Sequence, residues 1–302
     1  MLEAGSEVDL YDGASPMSED ALAARLQGTH GLVCVLTDRV TAKVLDAARE
    51  LKVVSNIAVG YDNIDVAAAR SRGIVVTNTP DVLTEATAEL TWALILAITR
   101  RIAEGDRLVR RGGWKGWALD FMLGTELRGK QLGIIGRGRI GRAVAAKAGA
   151  FGMHAVFAAR ASQAAGAPAR MSESEMSLDE LLVSSDVISI HTPLTPSTRH
   201  MIDRRALARM KRSAFLVNTA RGPVVDEEAL AWALKERLIA GAALDVYERE
   251  PEVHAALLDL ESVVLAPHLG SATRETRTAM AELAVKNALA VVAGRPPLTP
   301  VG

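Results

Sequence analysis

At 302 residues the chain is longer than one hydrophobic core usually serves, so two domains are expected; 49% hydrophobic and 24% charged residues exclude disorder. A formal net charge of −1, with no long run of either sign, leaves no electrostatic footprint for nucleic acid or an anionic membrane. The single cysteine, Cys34, excludes an internal disulfide, no Cys/His spacing resembles a metal site, and no apolar stretch reaches the ~18 residues of a membrane span. The acidic N-terminus lacks the basic and apolar regions of a signal peptide, so a cytoplasmic protein is expected.

In chain order, short apolar runs predict strands at 8–11, 32–36, 52–55, 74–77, 132–135, 154–158, 187–190, 214–218, 242–244 and 263–266. Amphipathic stretches alternate with them. Ser18 is placed to cap a helix over 19–26 that Gly28 stops, and Asn63 one over 64–71 that Gly73 stops. Asp226 precedes a third, over 227–238. Two longer helical patterns cover 81–111 and 271–293. Strand and helix in strict alternation predict an α/β protein of doubly wound parallel sheets, because parallel strands need crossovers. The long helices sit beside the expected domain boundary. They divide the chain into 1–95 plus 273–302 as a smaller, flavodoxin-like substrate domain and 96–272 as a Rossmann dinucleotide-binding domain. The Ala/Gly/Pro-rich stretch 161–171 reads as a surface loop.

The strongest local signal is Gly136-Arg137-Gly138-Arg139-Ile140-Gly141, which follows an apolar strand and opens an alanine-rich helix. That context is what a dinucleotide-binding turn requires. Gly136 permits the tight turn, Gly138 lets backbone approach the pyrophosphate, and Gly141 lets helix pack on strand. The next strand ends Ala158-Ala159-Arg160-Ala161-Ser162, without the carboxylate that would bind a ribose 2′-hydroxyl. Arg160 and Ser162 suit a 2′-phosphate instead, so NADPH is expected to be preferred over NADH.

Three later strands each deliver one chemically loaded residue at the carboxyl end: Arg221, Glu250 and His268. Singly, each has an ordinary reading as a surface charge, a turn residue before proline or a helix-entry residue. Together they make an anion clamp, a carboxylate and a proton carrier where open α/β sheets bind ligands.

The chain resembles the D-isomer-specific 2-hydroxyacid dehydrogenase family over nearly its whole length. The resemblance rests on Val59-Gly60-Tyr61-Asp62-Asn63-Ile64-Asp65, the glycine turn, His191-Thr192-Pro193-Leu194-Thr195, Asn218-Thr219-Ala220-Arg221-Gly222, Leu244-Asp245-Val246-Tyr247-Glu248 and Pro267-His268-Leu269-Gly270-Ser271. Within the family, the stretch from Trp114-Lys115-Gly116-Trp117 to Leu127-Arg128-Gly129-Lys130 is similar to glyoxylate/hydroxypyruvate reductases. The resemblance implies reduction of small 2-keto acids to D-2-hydroxy acids. Arg221 would hold the carboxylate and polarise the ketone, and His268 would donate the proton. Glu250 would orient that imidazole and favour its protonated form. Backbone N–H groups of Val59 and Gly60 would also bind the carboxylate. For the cofactor, Arg139 and Ile140 of the turn, Thr192, Pro193, Thr219, Asp245 and Gly270 are implied contacts.

Glu248 reads as a surface charge, and His30, His154, His191, His200 and His254 as structural or surface residues. The resemblance also implies a homodimer built on the 81–111 helix and the tryptophan-bearing loop after it. Other activities of the family (2-ketogluconate, phosphoglycerate, formate or phosphonate type) share the cofactor site. So does a non-catalytic dinucleotide-sensing module. The segment before residue 8 resembles the end of the family's first helix, so the small sheet is expected to lack its first strand.

Overall fold

A computed structural model describes residues 6–13, 15–159 and 175–301, which form two compact units: 1–83 with 272–302, and 84–271. Among the described residues, no helix is long and apolar enough to cross a membrane.

The smaller unit runs α1 (Glu19–Arg25), β1 (Gly31–Cys34), α2 (Ala42–Ala47), β2 (Val53–Asn56), α3 (Val66–Ser71) and β3 (Val75–Thr77). Its C-terminal helix is α11 (Arg274–Val292). The three strands pair in parallel in the order β1-β2-β3. Leu22, Val44, Leu45, Val54 and Val76 bury the helices against one face. On the other, Thr77 Oγ1 donates to Ser55 Oγ, which donates to the Ala284 carbonyl of α11 (both 2.8 Å). Asn287, fully buried on α11, accepts from the Leu298 and Thr299 N–H groups and folds the tail back. Val301 N–H then reaches the Val76 carbonyl, so the tail covers the β3 edge.

Two expectations change here. Residues 8–11 form no strand: Val8, Leu10 and Tyr11 are exposed, and Asp9 accepts two bonds from Arg25 on α1 instead of joining a ladder. A strand that short has nothing to hold it without a paired neighbour. Asn63 does not cap α3. Asp65 does, accepting from Ala68 N–H, while Asn63 Oδ1 accepts from Asn56 Nδ2 at 3.0 Å.

The larger unit opens with α4 (Thr84–Thr99) and α5 (Ile102–Arg110). The long helix expected there breaks because Arg101 adopts φ +55° and pairs with Glu104, while the Thr99 carbonyl accepts from Thr125 N–H. After it come β4 (Gln131–Ile135), α6 (Arg139–Ala148), β5 (His154–Ala158), β6 (Glu175–Met176), α7 (Leu178–Ser184) and β7 (Val187–Ile190). The chain continues through α8 (Arg204–Arg209), β8 (Phe215–Asn218), α9 (Glu227–Lys235), β9 (Gly241–Leu244), α10 (Ala255–Leu258) and β10 (Val263–Leu265). Among the described residues, its seven strands are all parallel, in the order β10-β9-β8-β7-β4-β5-β6. The order reverses between β4 and β7, the switch point at which such sheets bind ligands. Period-2 alternation feeds two cores: Ile188, Ile190, Leu216 and Leu244 face one side, and Leu132, Ile134, Val187, Val217 and Ala243 the other. The division between units falls at Leu83/Thr84, because Ala88, Trp92, Ile95 and Ile98 of α4 bury themselves in the second of these cores.

Candidate functional site

β4 turns into α6 through the glycine motif, with Gly136 at φ +110°. A Cβ on Gly136 would stand 2.4 Å from the His191 carbonyl oxygen, and one on Gly141 would stand 2.0 Å from the Gly136 carbonyl oxygen. The turn is therefore closed against the end of β7 and against its own helix. At Gly138, the helix N-cap, nothing lies within 4 Å of the Cβ position. Arg139, Ile140 and Gly141 form a first turn with no acidic residue, so the α6 N–H groups and dipole favour an anion on that open side. These residues fit a dinucleotide pyrophosphate.

Beyond β5, Ala159 stands where a ribose-binding carboxylate would be, its N–H donating to the Met176 carbonyl at 2.7 Å. Arg160 and Ser162 lie outside the described residues. At the end of β7, Thr192 and Pro193 continue from His191, and the Pro193 carbonyl accepts from Thr198 Oγ1 at 2.7 Å.

His191 itself is a structural group. Nε2 lies 2.8 Å from Ser189 Oγ, and Nδ1 is buried with no partner among the described residues. Burial pushes its pKa down to about 3. The unfolded chain binds this proton below about pH 6.5 and the native chain does not, so stability falls as pH falls through that window. About 1 kcal/mol is expected to be lost between pH 7.5 and 5.5 from this group alone. Urea titrations of wild type and His191→Asn at both pH values test this. An equally steep pH dependence in the two proteins would refute it.

The ends of β8, β9 and β10 converge. Asn218 at the end of β8 holds its own loop, donating to the Arg221 carbonyl (2.9 Å) and accepting from Ala220 N–H (3.0 Å). A Cβ on Gly222 would lie 1.9 Å from the Tyr247 carbonyl carbon, so only glycine lets this loop touch the one after β9. After β9, Asp245 accepts Leu269 N–H (2.6 Å) and Gly270 N–H (2.8 Å) on its two oxygens, and its carbonyl accepts His268 N–H at 3.0 Å. Burial pushes the Asp245 carboxyl up, outweighing those donors and the His268 charge. Tyr247 OH, pushed up to about 12 by burial, donates to the Ala266 carbonyl at 2.8 Å.

His268 Nδ1 lies 2.8 Å from Glu250 Oε2, and Glu250 Oε1 accepts Tyr247 N–H at 3.0 Å. A carboxylate only accepts, so Nδ1 carries the proton of this bond and Nε2 is the nitrogen left for a substrate. Burial pushes the Glu250 carboxyl up. The His268 hydrogen bond and charge, the Tyr247 N–H and the Arg221 charge overbalance burial and hold it below the usual carboxylate range. The structure thus brings Arg221, Glu250, His268, Asp245, Thr219 and Gly270 to neighbouring strand ends of one sheet.

Val59 and Gly60 belong to the smaller unit, in the loop after β2. Asn78 Nδ2 donates to the Val59 carbonyl (2.8 Å) and Asn56 Nδ2 to the Gly60 carbonyl (2.9 Å). With both carbonyls fixed, their N–H groups take no partner among the described residues, as an anion-binding loop requires.

Glu248 is not a surface charge. It accepts Glu227 N–H at the start of α9 (2.8 Å), its own N–H donates to Glu227 Oε1 (2.7 Å), and Oε2 stands 3.1 Å from His200 Nε2. The first N–H groups of α9 have no intrahelical acceptor, and this carboxylate supplies one.

A glycine turn that fits a pyrophosphate at the switch point, with a basic and an acid–imidazole group on neighbouring strand ends, is an arrangement suited to a nicotinamide-dinucleotide-dependent oxidoreductase. Residues 92–270 match the model of the D-isomer specific 2-hydroxyacid dehydrogenase, NAD binding domain. The chain is 46% identical over 303 residues to a glyoxylate reductase of Thermococcus onnurineus, covering 99% of this chain and 90% of the relative. A solved protein of Thermus thermophilus superposes with a TM-score of 0.92 at 48% identity, covering 99% of this chain and 94% of that one. An NADPH-dependent glyoxylate/hydroxypyruvate reductase of Sinorhizobium meliloti, solved with NADP and malonate, gives 0.84 at 35% identity, covering 94% and 88%. The chain belongs to the D-isomer specific 2-hydroxyacid dehydrogenase family.

Proposed function

We propose that the chain reduces small 2-keto acids, glyoxylate and hydroxypyruvate, to D-2-hydroxy acids, with NADPH preferred over NADH. The observation that carries this reading is the 2.8 Å His268–Glu250 pair at the strand ends shared with Arg221. The bound dinucleotide supplies the hydride that reduces C2. Arg221 holds the substrate carboxylate and polarises the ketone oxygen with its planar set of donors. His268 Nε2 gives its proton to that oxygen as charge develops, and Glu250 stabilises the imidazolium before transfer. Asp245 and the Thr219 carbonyl hold the carboxamide, Pro193 lines the adenine side with Thr192 a further cofactor contact, and the 136–141 turn binds the pyrophosphate. For Val59 and Gly60 the proposed role, anion binding through their backbone N–H groups, rests on the resemblance and on those groups having no partner among the described residues. A rate panel of 2-keto acids with both reduced cofactors tests the reading. Cofactor binding without turnover of any of them would replace it with a sensing role.

The proposal includes a homodimer. Trp114, Trp117, Leu119, Phe121 and Leu123 are all exposed on one arm after α5, more apolar surface than an isolated chain usually leaves in water. Sedimentation is expected to give a dimer at micromolar concentration, and a monomer there would overturn it.

A further inference from the structure

We propose that Thr87 on α4 and Asp245 form a clamp that fixes the His268 imidazole against Glu250, so that Thr87 is a positioning residue for proton delivery. The proposal rests on the reading of His268 as proton donor. It starts from the backbone: His268 sits at φ +55°, a left-handed conformation that a non-glycine residue holds only when its surroundings enforce it. Four bonds do so. The Asp245 carbonyl takes His268 N–H, the Asp245 carboxylate takes Leu269 and Gly270 N–H, and Thr87 Oγ1 donates to the Gly270 carbonyl at 3.0 Å. The loop is therefore held by its N–H groups from β9 and by its carbonyl from α4.

The α4 side reaches further. Thr91 Oγ1, one turn on, donates to the Thr87 carbonyl (2.8 Å) and stands 3.0 Å from Thr219 Oγ1, in the loop that leads to Arg221. One helix face thus grips the loop carrying the imidazole and the loop carrying the guanidinium. Thr87, Thr91 and Thr219 are all buried, so solvent offers no ready substitute for a lost hydroxyl. Thr87 bonds to neither His268 nor Glu250 itself; it acts through the Gly270 carbonyl, two residues beyond the imidazole.

The test compares Thr87→Val, which keeps the shape and loses the hydroxyl, with Thr87→Ser, which keeps the hydroxyl. Thr87→Val is expected to lower kcat about tenfold, as a misplaced proton donor does, with the KM for the keto acid and the NADPH Kd within about twofold of wild type. Thr87→Ser is expected to restore kcat. In the cofactor-free protein, 15N NMR of the His268 imidazole is expected to lose the signature of the Glu250 hydrogen bond in Thr87→Val and keep it in Thr87→Ser. Should Thr87→Val not fold, Thr87→Ala is read in the same assays. Turnover of the hydroxyl-less variant within twofold of wild type, equal impairment of Thr87→Ser, or an unchanged imidazole spectrum would overturn the clamp. If wild type reduces no 2-keto acid, the proposed function fails, while the imidazole spectra still decide the clamp.

Discussion

Replacing His268 by alanine is expected to lower 2-keto acid reduction by about 10²- to 10⁴-fold, the range for losing a general acid. The reason lies in the pairing. Glu250, its carboxyl held below the usual range, engages Nδ1 of the ring, and on the proposed reading this leaves Nε2 to face the substrate. Alanine removes the donor and leaves a carboxylate whose ion-pair partner is gone. Arg221→Ala is expected to damage both KM and kcat, since the proposed function has one guanidinium serve the carboxylate and the reacting oxygen. Steady-state rates at neutral pH with glyoxylate check both. Near-normal turnover of His268→Ala would assign the proton to another residue.

The cofactor result is expected to be a 10- to 100-fold preference for NADPH in kcat/KM. Ala159 offers nothing to ribose hydroxyls, and no carboxylate there repels a 2′-phosphate. On the proposed reading, a guanidinium at Arg160 would add a charge-assisted bond of about 1.5–3 kcal/mol, which at about 1.4 kcal/mol per tenfold gives that ratio. Ala159→Asp combined with Arg160→Pro is expected to reverse the preference, because it removes the attraction and installs a repulsion. Equal wild-type values for the two cofactors, or a tenfold preference for NADH, would refute the reading.

The parallel strands that build both sheets were legible because burial on both faces writes them as apolar runs: 187–190 and 214–218 read as strands and pair in the centre of the large sheet. The glycine turn was legible because sterics allow few residues at Gly136 and Gly141. What escaped was decided by partners distant in sequence. Apolar content at 8–11 looked like a strand, yet a strand exists only with a neighbour. The break at Arg101 is invisible in the 3.6-residue period, since it depends on Glu104 and on residue 125 reaching back. β6 is two residues long and carries no periodicity. Glu248 read as surface because a charged residue usually is, and its role appears only once α9 presents unpaired N–H groups to it. Thr87 and Thr91 are hidden in the sequence for a related reason. Their four-residue spacing puts both on one helix face, but hydroxyls among apolar residues there leave no pattern of their own.

The close approach at Gly222 bears on how such a chain can diversify. The strand-end loops that carry the guanidinium and the carboxylate touch backbone to backbone, with no side chain between them to trim or enlarge. Lengthening either loop to admit a bulkier substrate would first break that contact and separate the two charges. Adaptation to new substrates is thereby steered away from the 218–222 and 245–251 segments, towards parts of the chain whose shape the His268–Glu250 pair does not depend on.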